Sequence, residues 1–190
     1  MFYQHAILCA KVLGSDCVSI WSGIVRDDIT HSQAMKRLVG SLRPVLDYAY
    51  REGIVIGFEP EPGMLVDSLE KYGELQSLIG DESNLQLTLD LGHMECQQEV
   101  PLADHIRRWG QHIVNVHVSD MRAGLHEHIM LGEGNVDFAA ALQALADVNY
   151  QGGLHVELSR HSHDAPNAVK QAFHFLKPIL KKVKKKENHA

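Results

Sequence analysis

The chain has 190 residues, 45% of them hydrophobic and 22% charged, with a formal net charge of −6. That length suffices for one domain, 1–190, with a sizeable core, and the acidic balance argues against nucleic acid, whose binding rests on neutralising phosphates. Three cysteines, an odd number without C-x-x-C spacing, imply no disulfide framework. With no signal-peptide pattern and no apolar run near the 20 or so residues that span a bilayer, a cytoplasmic protein without a membrane partner is expected.

In chain order, "CVSIW" (17–21) reads as a short strand and "HSQAMKRLVGSLRPVLDYAYREG" (31–53) as an amphipathic helix ended by Gly53. "IVIGFE" (54–59) is a strand, 65–80 a helix stopped by glycine, "LQLTLD" (85–90) a strand and 102–111 a shorter helix. "IVNVHVS" (113–119) is a strand that runs into a long histidine-rich loop. A helix over 136–149 follows, with Asn135 as its expected N-cap, then the strand "GLHVELS" (153–159) and a closing helix over 166–185. The basic stretch 181–190 reads as a solvated helix end, where cations suit the negative end of the dipole. Strand and helix alternating in this way mean βαβ units and a parallel sheet, and the near-continuous apolar strands fit one covered on both faces. A doubly wound sheet and a (β/α) barrel both satisfy the pattern.

The strand ends carry the chemistry. Glu59 closes one apolar run and Asp90 the next, while His117 and Glu157 sit near the ends of the following two. In a parallel sheet all carboxyl ends share one face, so the four side chains are expected to converge there. An acid at a core strand costs several kcal/mol unless it is paired or metal-bound. Three carboxylates and one imidazole make a mostly hard donor set, which favours Mn²⁺ or Mg²⁺ and also admits Co²⁺ or Zn²⁺.

Glu59, Asp90 with His93 in "LDLGH", His117 in "NVHVSD", His128 in "HIMLGEGNVDF" and Glu157 in "HVEL" resemble the xylose-isomerase-like TIM-barrel superfamily, which holds sugar isomerases and epimerases and also endonuclease IV. The resemblance covers nearly the whole chain. It implies an α/β partial barrel of about five βα units, like strands four to eight of a full barrel, preceded by a helix at "FYQHAILCAKVLG". It implies one divalent metal held by Glu59, Asp90, His117 and Glu157, with the two glutamates also acting as acid and base on a sugar, sugar phosphate or cyclitol. His93, Arg122, His128 and Trp21 are the expected substrate contacts.

Two departures matter. The first three strands of a full barrel are missing, which suggests an N-terminally truncated chain with exposed edges prone to homo-oligomer formation. Trp21 and His126 stand where nuclease-like members carry metal ligands of other types, which weighs toward a mononuclear isomerase. A multinuclear zinc abasic-site nuclease and a non-catalytic decayed barrel are the alternatives.

Overall fold

The structure is a computed structural model that describes residues 2–26, 28–80 and 84–183. The chain divides into two compact units, Met1–Leu89 and Asp90–Ala190.

The first unit opens with helix α1 (Phe2–Leu13), followed by β1 (Cys17–Ile20), α2 (His31–Glu52), β2 (Val55–Phe58), α3 (Leu69–Ile79) and most of β3 (Leu85–Asp90). The three strands are parallel, with Ile20 opposite Phe58 and Phe58 opposite Leu87. The apolar runs end up inside: Ile56, Phe58, Leu75 and Leu87 are fully buried, and the Tyr72 ring packs 6.3 Å from that of Phe58. Burial of this kind contributes about 1.5–3 kcal/mol per large apolar side chain. Helix α2 is bounded as its residues dictate. Thr30 and Gln33 form a reciprocal capping box at its start, and Gly53, at φ 72°, closes it in the left-handed conformation. Thr30→Ala is expected to lower stability by about 1 kcal/mol, measurable as a shift in the urea midpoint at unchanged slope. Helix α3 begins later than its sequence suggests: the expected helix starts at 65, but Ser68 accepts the Lys71 N–H and fixes the first turn at Leu69.

The second unit contains α4 (Leu91–Cys96), α5 (Leu102–Trp109), β4 (Ile113–Val118), β5 (Asp120–Arg122), β6 (Leu125–Ile129), α6 (Phe138–Asp147), β7 (Leu154–Val156) and α7 (Ala165–Leu180). β4 and β7 are parallel, with Val116 opposite Leu154 and Val118 opposite Val156. The histidine-rich segment is no irregular loop. It folds as an antiparallel hairpin in which Arg122 faces Leu125 across a tight turn at Ala123–Gly124. The N-cap of α6 is Asp137, whose carboxylate accepts the Ala140 N–H, and not Asn135. Asn135 instead donates its own N–H to the Met121 carbonyl. The closing helix stops at Leu180, and the basic stretch from residue 184 onward lies outside the described residues. β7 and α7 line an apolar groove of about 710 Å³, with Val156, Val169 and Phe173 exposed along it. No helix among the described residues is long and apolar enough to cross a membrane.

Candidate metal centre

Three of the four expected ligands come together within the second unit. Asp90 ends β3, His117 lies near the end of β4, and Glu157 directly follows β7. Each offers a ligand atom within 4.8 Å of the others. The fourth, Glu59, follows β2 in the first unit; it is buried, and its backbone N–H donates to the Ile20 carbonyl.

Asp90 is 2% exposed and serves two purposes at once. Its Oδ1 accepts the His93 N–H at 2.9 Å, which caps α4, and the Ser119 hydroxyl at 2.7 Å. Its Oδ2 is buried with no hydrogen-bond partner among the described residues. A buried, unsatisfied carboxylate oxygen is costly, on the order of 1–3 kcal/mol or more for a charged group, so its position calls for a cation. His117 is oriented from both sides. The Asn115 amide lies 3.1 Å from Nε2, and Nδ1 lies 3.2 Å from Glu157 Oε2. The residues therefore fit a divalent cation: one orphaned carboxylate oxygen, one imidazole oriented by the Asn115 side chain, and a second carboxylate beside it.

The His117 contact holds the Glu157 carboxyl below the usual carboxylate range, outweighing partial burial, which acts the other way. Burial and the neighbouring His93 and His128 push the His126 imidazole down. In both cases the unfolded chain binds protons more readily than the folded one. These groups therefore contribute stability above their ordinary pKa values and lose that contribution as pH falls through the acid range.

A second cluster lies in the same unit. His93 is buried against His126 and His128, with ring centroids 5.0 and 5.7 Å away, and each of the three offers a ring nitrogen within 4.8 Å of the others. The Nδ1 of His128 is also buried without a hydrogen-bond partner among the described residues. The hairpin β5–β6 positions His126 and His128, and Asp120 anchors the segment that follows. Its carboxylate, 1% exposed, accepts the backbone N–H groups of Gly132, Gly134 and Val136 at 2.8, 2.9 and 3.2 Å. A side chain at 134 would run into that carboxylate, so only glycine fits there.

The other expected contacts are placed as follows. Arg122 is exposed and donates to the Glu133 carbonyl at 2.8 Å. Trp21 stands exposed just past β1 in the first unit. Glu127 pairs with Arg160 at 3.0 Å. Sequence reasoning missed Asn115, Ser119 and Asp120. The first two had a readable signal: in "IVNVHVS" a polar residue recurs at every second position, so Asn115, His117 and Ser119 share one strand face.

Parallel strands alternating with helices, with carboxylates and imidazoles gathered where the strands end, define an α/β protein built on the (β/α)-barrel pattern. The profile of the xylose isomerase-like TIM-barrel family matches residues 2–179, and the chain belongs to that family. It carries five of the βα units from which such barrels are built. An uncharacterized protein of Methanocaldococcus jannaschii is 28% identical over 190 residues, covering 97% of this chain and 64% of the relative. The D-psicose 3-epimerase of Enterocloster bolteae is 28% identical over 151 residues, covering 77% of this chain and 47% of that enzyme. Among solved structures, the IolI protein with a bound zinc atom superposes with a TM-score of 0.79 at 22% identity, covering 96% of this chain and 69% of that one. The chain thus spans about half to two thirds of the length of the curated relatives it matches.

Proposed function

We propose that the chain carries the metal centre and acid–base residues of a divalent-metal-dependent isomerase or epimerase acting on a sugar, sugar phosphate or cyclitol. The observation that carries this reading is the buried, unpartnered Oδ2 of Asp90 beside His117 and Glu157. The kinship to a sugar epimerase and the zinc-bound structural neighbour support it. Asp90, His117 and Glu157 are assigned as ligands, with Glu59 as the fourth on the strength of its burial at a strand's carboxyl end. This set suits Mn²⁺ or Mg²⁺ best and accommodates Co²⁺ or Zn²⁺.

When bound, the cation would offset the negative charge that develops as a proton leaves the carbon beside a carbonyl, giving an enediolate. The remaining work falls to side chains. Glu157, whose carboxyl the His117 contact holds below the usual carboxylate range, takes the proton, and Glu59 is the acid–base group for the other face. In this reading His93 and His128 contact substrate oxygens, Arg122 a hydroxyl or phosphate, and Trp21 the face of a sugar ring. The substrate is a small molecule rather than nucleic acid, the location cytoplasmic, and the exposed apolar edges favour self-association.

The test is deuterium exchange from solvent into a panel of ketoses and inososes, with and without Mn²⁺. Exchange that requires the metal supports the reading, and none with any substrate refutes it. Independently, Mn²⁺ at 100 times its dissociation constant is expected to stabilise the metal-stripped protein by about 2.7 kcal/mol, read as a rise in melting temperature.

The cluster of His93, His126 and His128 favours a second reading, a multinuclear zinc site of the nuclease type. Three imidazoles form a softer set than the carboxylate site and suit zinc. Plasma emission spectroscopy separates the two: a single metal per chain supports the isomerase, and several zinc ions per chain support the nuclease.

A further inference from the structure

Ser119 has no solvent exposure, and its hydroxyl lies against one oxygen of a carboxylate assigned above as a ligand. Asp90 Oδ1 takes two donors, the Ser119 hydroxyl at 2.7 Å and the His93 N–H at 2.9 Å. Two donors on one oxygen orient the whole carboxyl group. They leave Oδ2, buried and without a hydrogen-bond partner among the described residues, as the oxygen available to a cation. The surroundings are shaped around the hydroxyl. A side chain at Gly92 would collide with the Ser119 Oγ and the Met121 side chain, so the corner closes on the serine only because residue 92 is glycine. Ser119 also follows His117 by two residues, just past the end of β4, so one segment presents a ligand and the group that orients its neighbour.

We infer that Ser119 is a positioning residue for the metal centre: it commits Asp90 Oδ1 to hydrogen bonding and restricts Asp90 to one-oxygen coordination. The inference rests on the reading of Asp90 as a ligand. Its chemical consequence is selectivity. Ca²⁺ takes six to eight oxygens and readily accepts both oxygens of a carboxylate, whereas Mn²⁺ and Mg²⁺ are served by compact sites with single oxygens. A carboxylate with one oxygen tied down therefore discriminates against Ca²⁺. Hydrogen bonds behind a ligand also fix its orientation, and their loss costs roughly 10–100-fold in metal affinity.

The experiment is calorimetric titration of the metal-stripped full chain with MnCl₂ and, separately, CaCl₂, for the wild type, Ser119→Ala and Ser119→Cys. The thiol is a weak donor of similar shape and provides a folded intermediate should the alanine variant not fold. The expected result is Mn²⁺ affinity about 10–100-fold weaker in Ser119→Ala, Ser119→Cys falling between, and a smaller ratio of Mn²⁺ to Ca²⁺ affinity in both. Wild-type Mn²⁺ binding with unchanged affinities in the variants overturns the inference alone. An equal proportional loss for both metals marks a hydroxyl that only supports the fold and also overturns it. A wild-type chain that binds no Mn²⁺ overturns the ligand reading of Asp90, and this inference with it.

Discussion

Glu157→Gln is expected to lower the rate of proton abstraction by roughly 10²–10⁴-fold, the range that a positioned general base contributes. The amide keeps the size and planarity of the carboxylate but can neither accept the proton nor carry charge. In the wild type, Glu157 Oε2 lies 3.2 Å from His117 Nδ1, and that contact holds its carboxyl below the usual range. The base is therefore fully ionised at neutral pH, and the acid limb of the rate profile should fall below the ordinary range for glutamate. Metal affinity should fall as well, because a ligand charge is lost. A half-exposed side chain just past a short strand contributes little to packing, so the metal-free variant should lose only the modest stability that the His117 contact contributes. Solvent deuterium exchange in single turnovers measures the chemical step directly. Exchange at the wild-type rate in the glutamine variant would remove Glu157 from the mechanism.

Asp120→Ala should be the most destabilising single substitution in the second unit. The carboxylate is buried and accepts three backbone N–H groups, from Gly132, Gly134 and Val136. Truncation leaves three donors without their acceptor around a site where Asp120 itself is buried. With about 1–3 kcal/mol for each buried unsatisfied group and partial relaxation, a loss of about 3–5 kcal/mol follows. For a chain of this size that corresponds to a melting temperature about 6–20 °C lower. Asp120→Asn should recover only part of the loss, since its amide nitrogen would confront donors. Calorimetric melting of the three proteins decides the matter, and a loss under about 1 kcal/mol for the alanine variant would show that these bonds are dispensable. Because the same segment follows the strand bearing His126 and His128, the alanine variant should also lose any zinc held by the three imidazoles.

Much of this arrangement was legible in the sequence because strand ends are marked twice, by the close of an apolar run and by the residue type that follows. Glu59, Asp90, His117 and Glu157 are conspicuous because acids and imidazoles are rare beside Val, Ile and Leu. Gly53 announced the end of α2 in the same way. The hairpin β5–β6 was hidden for the converse reason. "LHEHI" has histidine and glutamate where strands usually carry β-branched residues, and its turn is the unremarkable Ala–Gly pair. Helix α4, six residues long, is too short to show a 3.6-residue period. The choice between Asn135 and Asp137 as N-cap turns on which residue's N–H Met121 captures, a long-range contact that local pattern cannot reveal. Asp120 was invisible as an anchor because its three partners are backbone groups, which leave no trace in residue identity.

At the corner where β3 passes directly into α4, a single carboxyl group terminates a strand, begins a helix and faces the neighbouring imidazole. Leu91 can be exchanged for another apolar residue over evolutionary time, but the spacing from Asp90 to His93 cannot change. Inserting or deleting one residue there would uncap the helix and rotate His93 away in the same stroke. Homologous chains should therefore show no gaps in this tetrapeptide.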